Sequence, residues 1–107
     1  MSKGYVNVGE FTERVSFKRQ ERRRTSTGSV EKTYVDAGVA LAKVEQKTLG
    51  ETVDDTKVAL ESVIQLTTYI LTGVDNTYRV VVRRKEYEIT GVEEVKRRYM
   101  VITAKLI

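Results

Sequence analysis

The sequence predicts an all-β fold, a small antiparallel β-barrel or sandwich of about six strands with long loops and room for one short helix. Three observations point there. Of the 107 residues, 35 are Val, Ile or Thr, side chains that suit a pleated, half-buried surface and restrict a helix. Several short segments alternate apolar and polar residues with the period of a strand. No long segment repeats its apolar residues every three to four positions, as an amphipathic helix would. Residues 1–107 are expected to form a single domain, long enough to bury roughly two-thirds of its unfolded surface without crosslinks.

Met1–Glu13 is polar with scattered apolar residues and reads as a short N-terminal arm or a single helical turn, anchored by Phe11. Arg14–Gln20 is a half-buried strand in which Val15 and Phe17 alternate with polar neighbours. Glu21–Thr33 has no periodicity and carries Arg22-Arg23-Arg24, Thr25-Ser26-Thr27 and Gly28, so it reads as a loop. It is long for a hairpin connection, which usually has two to five residues. Tyr34–Gln46 is the second strand, with a bulge or bend predicted at Gly38. Val39 and Leu41 fall on one face of it, and Ala40, Ala42 and Val44 on the other. A strand apolar on both faces is central in its sheet or covered by a partner.

Lys47–Val58 is irregular. Leu49, Val53 and Leu60 have roughly helical spacing, so a flexible loop and a short helix are both open. Leu60–Leu71 is the third strand, with Ile64, Leu66, Thr68 and Ile70 on one face, and Thr72–Asn76 is a turn cluster. Tyr78–Arg83 and Glu86–Thr90 form the clearest hairpin, with Arg84-Lys85 at its tip and cross-strand Glu–Arg pairs to fix its register. Gly91 interrupts the pattern, Val92–Lys96 continues as a bent strand, and Arg97-Arg98 marks a turn. Tyr99–Leu106 is the last strand, with Met100, Ile102, Ala104 and Leu106 on one face. The absence of proline leaves edge strands without one common guard against pairing, so edge contacts between subunits are expected.

The chemistry available is narrow. The chain has no cysteine and no histidine, which removes thiolate metal sites, disulfides and the commonest general base and metal ligand. None of its serines sits in a Gly-x-Ser-x-Gly elbow. Gly28–Thr33 has Glu31 where a phosphate-binding loop requires glycine before Lys32. Glu93 and Glu94 point to opposite faces of an extended segment, and Asp54-Asp55 reads as a solvated loop. No catalytic residue, metal or cofactor is expected. The longest apolar runs are Val39–Ala42 and Tyr99–Ile102, far short of the ~20 residues of a membrane span or the ~7 of a signal-peptide core. No membrane association and a cytoplasm-like compartment are therefore expected. The net charge is +4, too small by itself to indicate nucleic-acid binding.

Three basic clusters stand out: Arg22–Arg24, Arg83–Lys85 and Arg97-Arg98. They suit a phosphate backbone or an acidic partner, or they are solvated tips. Val81, Tyr99 and Val101 alternate out of register with the inner residues. They would be buried between the subunits of an oligomer, or alternatively by barrel closure and the N-terminal arm.

Phe11-x-x-Arg14-Val15-Ser16-Phe17-Lys18-Arg19 resembles the opening of the phage head–tail joining proteins, also called head–tail adaptors, head closure proteins or stoppers. Gly38–Glu45, with Gly50-Glu51 after it, is similar to that family's Val-Trp-Ala-Lys/Glu-Val segment. Tyr87–Glu94 and Arg97-Arg98-Tyr99 resemble its Tyr-x-Ile-x-x-Val stretch and basic-aromatic last strand. The similarity runs over nearly the whole chain. It departs at Thr67-Thr68-Tyr69, where the family has a basic pair, at Leu41, near the family's Trp, and in the first loop, which keeps only Gly28.

The resemblance implies a β-barrel that assembles as a ring beneath the portal and its adaptor, keeps packaged DNA in the head and receives the tail. It points to Lys47–Val58, with Lys47, Glu51, Asp54, Asp55 and Lys57, as the channel-facing loop. Arg22, Arg23, Arg24, Arg83, Arg84 and Lys85 become candidate contacts to DNA or acidic partners. Val81, Tyr99 and Val101 become a candidate inter-subunit face. Such a protein is expected in the neck of the virion and, during assembly, in the host cytoplasm, as a homo-oligomeric ring or, when isolated, a monomer. The rival from another class is an OB- or SH3-like nucleic-acid-binding barrel. A small enzyme is the weakest alternative.

Overall fold

A computed structural model describes residues 6–49 and 61–107. They form a short 3-10 turn, Val8–Glu10, and six strands: β1 (Glu13–Arg24), β2 (Val30–Leu49), β3 (Glu61–Tyr69), β4 (Arg79–Val82), β5 (Lys85–Val95) and β6 (Tyr99–Leu106). Every neighbouring pair is antiparallel, and the order β1-β2-β3-β6-β5-β4 closes into a barrel. Closure leaves no edge inside the barrel itself, which is how so small a sheet avoids exposing unpaired backbone.

The alternation seen in the sequence sets the inside of the barrel. Val15 and Phe17 of β1, Ala42 of β2, Ile64 and Leu66 of β3, Val80 and Val82 of β4, Tyr87 and Ile89 of β5, and Met100, Ile102 and Ala104 of β6 form one buried core. Thr68 is the one buried polar residue among those described. Its hydroxyl donates to the Leu41 carbonyl at 2.8 Å, so the interior carries no unsatisfied hydroxyl. On β2 the inward positions are Ala40, Ala42 and Val44, while Val39 and Leu41 face out, 56% and 55% exposed.

Two bulges bend the sheet. Phe17 pairs with Gly38 but Lys18 pairs with Asp36, so Ala37 is the extra residue; Gly38 has a φ of 144°, open to glycine and unfavourable to other residues. Ile89 pairs with Ala104 and Gly91 with Thr103, leaving Thr90 as the second extra residue. Both lie at or beside the glycines that the sequence marked.

The largest departure from expectation is Glu21–Thr33. It is a strand pair and not a loop: β1 and β2 remain in register out to Arg24 opposite Val30. Only Thr25–Ser29 turns, held by Thr25 N–H to Ser29 O at 2.8 Å and Gly28 N–H to Thr25 O at 3.0 Å, with Gly28 at a φ of 90°. The periodicity is missing because neither face of this ribbon covers the core. β4 pairs with β1 only over Val15–Lys18, and β3 pairs with β2 only over Lys43–Leu49. The distal hairpin therefore stands off the barrel as a two-stranded arm. The Cα radius of gyration, 16.1 Å, exceeds the roughly 13 Å of a compact chain of this length, as a projecting arm requires.

Candidate functional site

The arm sorts its charges by face. Strand alternation and the register put Lys18, Gln20, Arg22 and Arg24 of β1 on the face that also carries Asp36, Tyr34, Lys32 and Val30 of β2. Beyond Gln20 and Tyr34 this outer face holds Arg22, Arg24 and Lys32 and no carboxylate. The opposite face is balanced: Arg19 meets Glu21 at 3.5 Å, and Arg23 lies directly across from Glu31. The Arg22–Arg24 cluster is thus split by the strand into an outward pair and a middle residue on the opposite face, across from Glu31.

A polar cluster anchors the base of the arm. Arg79 donates to Glu86 at 2.9 Å, and its guanidinium lies 3.9 Å from the centre of the Tyr34 ring. Tyr34 accepts from Gln20 at 3.1 Å, and Lys18 reaches Glu86 at 3.7 Å. The hydrogen bond from Arg79 holds the Glu86 carboxyl below its ordinary value, and the same bond holds Arg79 more firmly protonated.

The second basic cluster lies at the other end of β1. Val82 pairs with Lys85, so the two-residue tip is Arg83-Arg84, one residue earlier than Arg84-Lys85. Both tip residues have positive φ, 53° and 71°, as a type I′ turn demands. Arg83 is occupied, donating twice to Glu13 at 2.9 Å, while Arg84 and Lys85 are exposed. Val82 lies opposite Val15, seven residues along β1 from Arg22, or roughly 24 Å at strand rise. The two clusters do not converge.

The outer apolar residues form two groups. Val39 pairs with Ser16, and Ser16 with Val81, so Val39, Leu41 and half-buried Val81 share one stretch of outer surface across β2, β1 and β4. Tyr99 and Val101 belong to a second stretch on β6, where the N-terminal segment covers them. Phe11, buried to 7% exposure, meets Tyr69 and Tyr99 edge-on with ring centres 5.4 and 6.0 Å apart. Val101 lines a shallow groove with Val6, Glu10, Phe11, Lys43 and Thr67. A clasp pins that segment: Lys43 reaches Glu10 at 3.1 Å and Glu45 at 3.5 Å, and the Glu10 contact is the largest cause of its raised pKa. Val39 and Leu41 were visible in the sequence only as one face of a doubly apolar strand. Lys47 belongs to β2, which stays paired with β3 out to Leu49, and not to an irregular segment; it is exposed and lies opposite Val63. Glu51, Asp54, Asp55 and Lys57 lie outside the described residues. No helix among the described residues is long and apolar enough to cross a membrane.

Residues 6–107 match the family model of the phage head completion protein. The chain belongs to the phage head completion protein family. That family is one of structural proteins of the phage particle, so the role of the chain is structural. No curated protein matches it. Its barrel is similar to a chain in the virion of a native gene transfer agent particle, with a TM-score of 0.67, 11% identity, and 90% of this chain and 94% of that one covered. It is also similar to the solution structure of a Shigella flexneri 2a protein, with a TM-score of 0.68, 16% identity, and coverage of 94% and 96%. At these identities the likeness is one of fold.

Proposed function

We propose that the chain is one subunit of a ring beneath the portal and its adaptor, closing the DNA-filled head and offering the surface to which the tail attaches. Family membership supports the place. The observation that carries the ring is the outer apolar stretch: Val39 and Leu41 are more than half exposed on a strand whose other face already supplies the core. A head-to-tail ring contact is heterologous, with one surface meeting a different one on the next subunit. Val39, Leu41 and Val81 form one half of it, and the N-terminal segment that covers Tyr99 and Val101, with half-exposed Tyr69 beside it, forms the other. The arm adds unpaired backbone edges, since β4 and β3 pair with β1 and β2 only near the barrel, and strand edges readily recruit a neighbouring chain.

The segment Lys47–Val58, with Glu51, Asp54, Asp55 and Lys57, is assigned to the channel, on the resemblance noted in the sequence. Arg84 and Lys85, at the end of the barrel away from the arm tip, are assigned to an acidic surface of the portal, adaptor or tail. The subunit is monomeric in the host cytoplasm and joins the ring at the neck of the virion. Particles made without the protein should package DNA and then lose it or remain tailless. Filled, stable, tailed particles made without it would overturn the reading.

A further inference from the structure

We propose that the outer face of the β1–β2 arm is a contact surface for double-stranded DNA. Arg22, Arg24 and Lys32 lie together there, Arg22 directly opposite Lys32, and all three are exposed. Like charges set directly across a strand pair oppose the pairing. The opposite face shows the alternative, with Arg23 across from Glu31 and Arg19 paired to Glu21. Positive charge is therefore concentrated on one side of a ribbon whose other side is neutral.

The shape of the arm suits a duplex. A two-stranded ribbon fits the major groove of B-DNA, and side chains two residues apart along a strand are spaced about 7 Å, roughly two base-pair rises. The turn adds the hydroxyls of Thr25, Thr27 and Ser29, which hydrogen-bond one another within 3.2 Å and can turn to phosphate oxygens. Single-stranded nucleic acid is a poorer fit, because it needs free aromatic faces and Tyr34 is already covered by Arg79. An acidic protein is also poorer, because such interfaces turn on buried aromatic or aliphatic anchors, and Val30 is the sole large apolar residue beside these cations. Asp36 and Glu86 stand at the base, facing Lys18 and Arg79, and leave the distal half uniformly positive. This inference depends on the neck reading only for which duplex the arm meets.

The test is fluorescence anisotropy with a labelled 30-base-pair duplex of arbitrary sequence over a salt series. Wild-type protein should bind with a salt-dependent affinity. Arg22→Gln/Arg24→Gln/Lys32→Gln should lower the slope of log K against log salt by about 2.7, at roughly 0.9 per lost phosphate contact. Arg19→Gln/Arg23→Gln/Lys96→Gln removes the same net charge elsewhere and should change the slope by less than about 1. Circular dichroism and thermal melts check that both variants fold. No duplex binding by wild type at 50 mM salt, or equal losses in the two variants, overturns the proposal, and the first result would direct the arm to an acidic protein. Duplex binding of this pattern by a protein absent from necks would leave the arm assignment standing and overturn the neck reading. A neck protein without duplex binding would do the reverse.

Discussion

Arg83 and Glu13 are joined by a two-pronged ion pair, with Nε and one terminal nitrogen each donating to a separate carboxylate oxygen at 2.9 Å. The residues are 70 positions apart. One sits in the β4–β5 turn and the other begins β1, so the pair clips the seam where the barrel closes. The turn aims the Arg83 side chain back at β1. Arg83 lowers the pKa of Glu13, chiefly through this hydrogen bond, and Glu13 raises that of Arg83.

Stability should therefore depend on pH mainly on the acid side. Glu13, Glu86 and Asp75 all have folded-state pKa values below their ordinary ones, the first two through arginine and Asp75 through Thr77. A depressed carboxylate contributes stability above its unfolded pKa and loses it as pH falls through the folded one. The urea midpoint should be flat from pH 6 to 8, where a chain with no histidine has almost nothing to titrate. It should fall as pH drops below about 4.5. Glu13→Gln should reduce that acid dependence, and an unchanged profile in this variant would contradict the role of the pair.

Arg84 has a φ of 71° at the second tip position of the same turn, a conformation that suits glycine or asparagine. Its side chain is exposed. Arg84→Gly should stabilise the protein by about 0.5–1 kcal/mol, the relief of the left-handed strain outweighing the added freedom of the unfolded chain. Chemical denaturation measures it, and a loss of stability would show that the side chain has a partner.

Phe11 is the bolt of the N-terminal segment, set edge-on against Tyr69 and Tyr99. Phe11→Ala should cost about 3 kcal/mol, read as a lower denaturation midpoint and a changed near-ultraviolet tyrosine signal. Phe11→Leu, which keeps most of the volume, should cost less than half as much.

The parts of this fold legible in the sequence are those where one face is buried. Val15 and Phe17, and Ile64 and Leu66, alternate with outward-facing residues because the barrel interior demands it, as do Met100 and Ile102, and their strands are visible in the sequence. Gly38 signalled a bulge because few other residues take its backbone angles. The arm was illegible for the converse reason. From Glu21 to Thr33 both faces meet solvent, so hydrogen-bonded strands carry no apolar alternation and look like a loop. The β4–β5 tip lies one residue before the Arg84-Lys85 that the sequence suggests, because Arg83-Arg84 lacks the Asn-Gly signal of a type I′ turn. The direction of β2 was also hidden: small Ala40 and Ala42 point inward, where the sheet approaches closely, while larger Val39 and Leu41 point out. The split of Arg22–Arg24 between two faces needed the register, which one strand alone does not contain.

Under the proposed ring contact, substitutions at Val39 and Leu41 should separate assembly from folding. Val39→Glu/Leu41→Glu alters exposed side chains, so stability should shift by less than about 1 kcal/mol for the two exposed substitutions together. Head completion should nevertheless fail, because two carboxylates would be buried in the subunit contact. Complementation of a deletion phage reads this directly. Full rescue by the folded double variant would move the contact elsewhere on the barrel.

Electron microscopy of the neck, in particles of the phage that encodes this chain, decides whether the barrels form a ring there. A ring of these barrels should be seen between the portal–adaptor assembly and the tail, with the outer face of β2 against the neighbouring subunit. Density for the barrel elsewhere in the particle, or a neck without it, would contradict the account.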